Sequence, residues 1–123
     1  MTPLDPQFAQ RLREVGNDLP AVAALYEAAL AAQDRRGVRA HTDLAYGLHE
    51  RHRLDVYQPE GPAPAGGWPV VVFLHGGGFI RGHKGHRANL GVFLAQQGFV
   101  AVLPNYRLAP ADRWPCGPQD VVA

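Results

Sequence analysis

The chain has 123 residues, of which 46% are hydrophobic and 19% are charged, and its formal net charge is +1. This composition fits one small globular domain and excludes a disordered chain. The basic residues are spread along the sequence, which argues against a nucleic-acid partner, and apolar runs such as residues 70–74 are too short to cross a membrane.

The first 37 residues predict two short amphipathic helices. Each begins after an aspartate that can act as N-cap, Asp5 or Asp18, with a proline in the first turn. We expect the first helix to end at Gly16 and the second to end at Gly37, because glycine is the usual residue just past a helix C-terminus.

Two strands are predicted next, over residues 42–46 and 51–57, with residues 47–50 as the loop of a hairpin. The second strand alternates apolar and more polar residues. The apolar residues are Leu54 and Val56, and the more polar ones are Asp55 and Tyr57. This alternation is typical of an antiparallel sheet with one face in water.

The remaining sequence predicts a βαβ unit. Residues 70–74 form a β-branched and apolar run that indicates a strand buried on both faces, as in a parallel sheet. A helix is expected from about residue 84 to residue 97, followed by a second buried strand over residues 99–103. Residues 105–117 are predicted as a loop, and residues 118–123 as the opening of another helix.

A run of three glycines follows the first strand of this unit, in the segment His75-Gly76-Gly77-Gly78-Phe79. Glycine lacks a Cβ atom, so its backbone can adopt positive φ and approach a ligand closely. The carboxyl end of a parallel strand is where α/β proteins bind ligands. Peptide N–H groups at this place can stabilise an oxyanion, with each donor contributing about 3–4 kcal/mol in acyl transfer.

Two motifs in this part of the chain carry a resemblance to a known family. Residues 75–79 resemble the HGGG-[FW] motif of the hormone-sensitive-lipase-like, carboxylesterase branch of the α/β-hydrolases. Tyr106-Arg107-Leu108-Ala109-Pro110 is similar to the YRLAP motif of the same branch, although the glutamate that usually follows is Ala111 here. Residues 44–47 and 53–57 resemble the first two strands of that branch.

The resemblance implies the N-terminal part of an α/β-hydrolase fold. Residues 1–37 would be a cap-like helical segment, and residues 38–123 would hold the first four strands of a sheet that is incomplete, with strand order 1-2-4-3. We expect the open edge of the strand at residues 70–74 to promote self-association.

The resemblance also implies roles for individual residues. Gly77 and Gly78 would donate their backbone N–H groups to the oxyanion, whereas His75 would brace the loop together with its neighbours Gly76 and Phe79. Tyr106 and Arg107 would hold the following loop beside the glycines. The expected activity is hydrolysis of a small-molecule ester through a serine acyl-enzyme, without a metal ion or an organic cofactor.

The sequence contains no serine. In the family the nucleophilic serine, the acid and the histidine follow the part that this chain resembles. We therefore expect the chain to be a fragment that is inactive by itself. One alternative is a non-catalytic product, either a truncated protein or a half-sheet that needs a complementary chain. The other alternative is an amidase or formamidase on the same fold.

Three other kinds of site are weaker hypotheses. Cys116, the only cysteine, is predicted to be inert in a loop. The histidine pairs His49 and His52, and His83 and His86, are predicted to be solvent-exposed and not metal ligands. A phosphate-binding loop at residues 77–84 is disfavoured because no serine or threonine follows Lys84. Without a disulfide or a signal peptide, we expect a cytoplasmic protein.

Overall fold

The computed structural model describes residues 5–122 and divides the chain into two compact units, Met1–Asp34 and Arg35–Ala123. Residues 1–4 of the predicted helical segment and Ala123 of the predicted last helix lie outside the described residues. The assignment of the first segment as a cap stays a prediction. Within residues 5–122 no helix is long and apolar enough to span a membrane.

The first unit consists of two helices, α1 (Pro6–Val15) and α2 (Leu19–Ala31). Both predicted caps are confirmed, because the Asp5 carboxylate accepts from the N–H of Gln7 at 3.1 Å and the Asp18 carboxylate accepts from that of Ala21 at 3.1 Å. The predicted end of the second helix at residue 37 is wrong. The helix stops six residues earlier, and residues 38–45 already belong to a strand.

The second unit contains a four-stranded sheet in the order β1-β2-β4-β3. Its strands are β1 (Val38–Ala45), β2 (Arg53–Pro59), β3 (Val70–Val72) and β4 (Val100–Pro104). β1 and β4 pair with β2 in antiparallel fashion, and β3 pairs with β4 in parallel. The predicted order, the antiparallel pair and the βαβ unit are thus confirmed.

The connections differ from the prediction in detail. A 3₁₀ turn (Lys84–Arg87) precedes α3 (Ala88–Gln96), where one continuous helix was expected. The last helix, α4 (Cys116–Val122), begins two residues before the predicted start.

The core lies between the sheet and α3 and includes the buried residues Tyr57, Val92, Ala95, Ala101 and Leu103. On β2 the buried side chains are Asp55 and Tyr57, whereas Leu54 and Val56 are only half-buried. The alternation was predicted correctly, but Asp55 and Tyr57 do not face water. Asp55 can be buried because the ammonium group of Lys84 neutralises its charge.

Lys84 is buried at the start of the 3₁₀ turn, with 7% of its side chain exposed. Its ammonium group lies 2.6 Å from the Asp55 carboxylate and 3.0 Å from the exposed Asp43 carboxylate. Burial alone would lower the pKa of Lys84, but hydrogen bonds to these two carboxylates outweigh burial and raise it. The Lys84 N–H also donates to the Asn105 side chain at 2.7 Å, so the turn is fixed to the end of β4.

β3 is an edge strand within the described residues, paired with β4 alone. Val70 and Val72 are 60% and 57% exposed. The predicted burial on both faces is therefore wrong for β3, because among residues 5–122 no helix packs against the face that carries Val70 and Val72.

Candidate active site

A pocket of about 450 Å³ opens at the carboxyl end of β3. One wall is the glycine turn, residues 75–79, and the opposite wall is the apolar side of α4. The lining residues beyond the turn are Leu74, Tyr106, Gly117, Pro118, Val121 and Val122. No charged side chain is among them, so the pocket suits an apolar, uncharged group.

The glycine turn has a backbone that requires glycine. The φ angles of Gly77 and Gly78 are 135° and 63°, and the next residue, Phe79, also has positive φ. The Gly77 carbonyl accepts from the N–H of Arg81 at 3.2 Å, which closes the turn. Among residues 5–122, no hydrogen bond uses the N–H groups of Gly77 and Gly78. The N–H groups of Gly76 and Phe79 are likewise unused among these residues, so the pocket wall carries several available donors, Gly77 and Gly78 among them.

His75 is buried beneath this turn, with 4% of its surface exposed. Its ring stacks on Tyr106 at a centroid distance of 4.4 Å, and its Nδ1 lies 2.9 Å from the Gly76 carbonyl oxygen. Since a carbonyl only accepts, Nδ1 carries the proton and Nε2 is unprotonated. Burial lowers the pKa of His75, so the ring is neutral.

We expect the free energy of unfolding to fall as the pH decreases from about 7 through the lowered pKa of His75. Between the ordinary value of 6.5 and that lower pKa, the unfolded chain binds a proton that the folded chain does not bind, so protonation favours unfolding. Urea titrations across this range should show a weaker pH dependence in His75→Gln than in the unmodified chain. An unchanged slope in His75→Gln would contradict the assignment.

The loop after β4 holds the glycine turn at both ends. The Tyr106 hydroxyl donates to the His75 carbonyl at 2.7 Å, ahead of the glycines. The N–H of Ala109 donates to the Phe79 carbonyl at 2.9 Å, behind them. The motif residues at 75–79 and at 106–110 therefore form one hydrogen-bonded unit, although 31 residues separate His75 from Tyr106.

Replacing Tyr106 with phenylalanine should lower the free energy of unfolding by about 1–3 kcal/mol, because it leaves the His75 carbonyl without its donor. Urea denaturation measures this loss. The matched control is Tyr26→Phe on α2, where the hydroxyl should contribute within about 0.5 kcal/mol. Equal effects of the two substitutions would contradict the role given to the Tyr106 hydroxyl.

Arg51 completes this unit and was not singled out from the sequence. It lies between β1 and β2, where its Nε donates to the Tyr106 carbonyl at 2.7 Å and its Nη2 donates to the Gly82 carbonyl at 3.1 Å. An arginine in a hairpin loop gives no sequence signal for this role, since such residues are usually solvated.

Asp120 on α4 was also missed. Its buried carboxylate pairs with the Arg107 guanidinium at 2.6 Å and accepts from the Arg107 backbone N–H at 2.8 Å. Burial alone would raise the pKa of Asp120, but the hydrogen bonds from the side chain and backbone of Arg107 outweigh it and lower the pKa. The only signal in the sequence was an acidic residue within a segment otherwise suited to a buried helix.

Two predictions about reactive side chains need correction. Cys116 is the first residue of α4 and not part of a loop; it is buried, and its thiol donates to the Asp112 carbonyl at 3.3 Å. His49 and His52 are half-buried, not solvent-exposed, with Nε2 at 3.4 Å and 3.1 Å from the carboxylates of Asp112 and Asp120.

His83 and His86 are exposed, as predicted. The described part of the chain holds no group of three or more metal-ligating side chains.

Comparisons with known proteins give a family match and several hydrolase relatives. The family BD-FAE matches residues 54–123. An AB hydrolase superfamily protein from Schizosaccharomyces pombe is 33% identical over 105 residues, covering 85% of this chain and 29% of the relative. Kynurenine formamidase from Danio rerio is 38% identical over 68 residues, covering 55% of this chain and 22% of the relative.

Among solved structures, an inhibited form of esterase B from Lactobacillus rhamnosis superposes with a TM-score of 0.69 at 26% identity. The match covers 91% of this chain and 37% of the esterase. The chain thus spans well under half the length of the proteins that it matches.

Proposed function

The chain belongs to the BD-FAE family of α/β-hydrolases, and from this premise we propose that it forms the oxyanion-stabilising wall of an active site that hydrolyses carboxylic esters. The observation that carries the proposal is the pair of free N–H groups on Gly77 and Gly78 at the wall of an apolar pocket. An apolar pocket with a few convergent donors fits a small uncharged ester.

In the proposed reaction a serine hydroxyl gives its proton to a histidine and attacks the ester carbonyl carbon. The carbonyl oxygen becomes an oxyanion, which accepts hydrogen bonds from the N–H groups of Gly77 and Gly78. The tetrahedral intermediate then expels the alcohol, which takes up the proton. Water repeats the sequence on the acyl-enzyme and releases the acid, so no metal ion or organic cofactor is used.

The nucleophile and its base come from polypeptide beyond these 123 residues, because the chain contains no serine. His75 does not act as the base in this scheme. Its ring is buried against Tyr106, and its protonated nitrogen lies at the Gly76 carbonyl. It braces the oxyanion turn.

A second candidate is a formamidase, which the likeness to kynurenine formamidase favours. Hydrolysis of an amide passes through the same tetrahedral oxyanion, so the same two donors serve both reactions. The fold is common to both activities and does not choose between them.

A non-catalytic role is the third candidate. The open edge of β3 could pair with a complementary chain or a second copy of this one, and neither role would need a nucleophile.

The test is to sequence the gene past the codon for Ala123, express the product to its stop codon, and assay it with p-nitrophenyl butyrate and an N-aryl formamide. A fluorophosphonate probe identifies an activated serine, and the 123-residue chain is the matched control, since it has no serine to label. Ester hydrolysis with a labelled G-x-S-x-G serine would support the proposal, whereas hydrolysis of the formamide alone would favour the second candidate. A product that is neither labelled nor active would overturn both.

A further inference from the structure

The Asp120 carboxylate binds both the backbone N–H and the side chain of Arg107, a residue of the loop after β4. Its Oδ2 accepts from the N–H of Arg107 at 2.8 Å, and its Oδ1 accepts from the Arg107 Nε at 2.8 Å and lies 2.6 Å from Nη2. Only 2% of the Asp120 side chain is exposed. A buried carboxylate that binds both groups of one residue fixes the position of that residue's backbone.

A second group reaches the same carboxylate from another element. Nε2 of His52, in the connection between β1 and β2, lies 3.1 Å from Asp120 Oδ1. This nitrogen is buried and has no hydrogen-bond partner among the described residues, so the approach is a close contact and not a hydrogen bond. Three separate parts of the fold therefore converge on one buried charge.

The fixed loop is the one that holds the glycine turn. Arg107 lies directly between Tyr106, whose hydroxyl binds the His75 carbonyl, and the residues that lead to Ala109, whose N–H binds the Phe79 carbonyl. A shift of the backbone at Arg107 would displace both of these donors. The position of the oxyanion turn is thus coupled to a carboxylate on α4, the helix whose apolar side forms the opposite wall of the pocket.

We propose that Asp120 is a positioning residue that fixes the oxyanion turn through Arg107. It touches no substrate atom in this arrangement. Its effect on the reaction rests on the function proposed above, whereas its effect on the order of the turn does not.

The first arm measures amide hydrogen exchange in the 123-residue chain by NMR. In Asp120→Asn one carboxylate oxygen becomes an NH₂ group, which cannot accept from Arg107. The N–H groups of Ala109 and Arg81, which are bonded to the turn, should exchange about tenfold faster because local opening becomes easier. The N–H of Phe73, bonded to Val102 in the sheet, should keep its exchange rate.

Asp112→Asn is the matched control, since Asp112 also lies near a histidine but makes no bond to Arg107 through its carboxylate. Its exchange rates at the turn should match those of the unmodified chain. Faster exchange throughout the sheet in Asp120→Asn would reveal a general loss of stability and overturn the proposal. Unchanged exchange at the turn would overturn it as well.

The second arm measures ester hydrolysis by the gene product that includes the nucleophile. Asp120→Asn should lower kcat about tenfold with KM within about twofold, because the oxyanion donors act in the transition state and not in substrate binding. A rise in KM at constant kcat would overturn the positioning role. If the unmodified protein does not hydrolyse esters, the proposed function fails, and the exchange arm still decides whether Asp120 orders the turn.

Discussion

For the proposed ester hydrolysis, replacing Gly77 with alanine should lower kcat by about 10²–10³, the loss typical of removing one oxyanion donor. The φ angle of Gly77 is 135°, and a Cβ atom there would meet the carbonyl oxygen of Arg81. This carbonyl belongs to the residue whose N–H closes the turn, so an added methyl group must displace the turn. The donor N–H would then no longer point to the place of the oxyanion.

The matched control is Gly76→Ala, one residue earlier in the same run. A Cβ atom at Gly76 has no neighbour within 4 Å, and its φ lies outside the left-handed region. Its kcat should stay within a few-fold of the unmodified enzyme. Steady-state kinetics with p-nitrophenyl butyrate measures both variants, and kcat and kcat/KM should fall together in Gly77→Ala. Equal activity of the two variants would remove Gly77 from the oxyanion site.

Replacing Lys84 with methionine should destabilise the fold by about 3–5 kcal/mol, because it leaves the buried Asp55 carboxylate without its counter-charge. Among residues 5–122, the Asp55 carboxylate would keep only the N–H of Asp43, at 2.9 Å, as a donor. Urea denaturation followed by circular dichroism measures the change. Asp43→Asn, which alters the exposed partner of Lys84, should cost at most about 1 kcal/mol.

A double variant keeps this prediction testable if Lys84→Met does not fold. Asp55→Asn with Lys84→Met removes both charges, and the new amide can still accept from the Asp43 N–H. It should recover a large part of the lost stability, since a buried neutral pair is often tolerated. A double variant no more stable than Lys84→Met would show that the packing of the lysine matters and not its charge.

Much of the architecture follows from local signals in the sequence. The aspartate caps fix the start of α1 and of α2 because a carboxylate satisfies free N–H groups of the first turn. The run of small and β-branched residues predicts the βαβ unit, and the three glycines predict a turn with positive φ at its end. Together with the resemblance of residues 75–79 and 106–110 to motifs of the α/β-hydrolases, these signals predicted the order of the four strands correctly.

The contacts that fix the candidate site were decided by the tertiary structure alone. Lys84 and Asp55 are 29 residues apart, and Arg51 is 31 residues from Gly82. In a sequence such charged residues are predicted to be in water, because burial of a single charge is costly. The opposite charges and the carbonyl groups come within bonding distance only when the chain folds. Burial then strengthens these electrostatic interactions, which in turn offset the cost of burying the charges. The same reason explains why Asp120 was overlooked, whereas the positive φ angles of Gly77 and Gly78, which depend on their own backbone, were predicted.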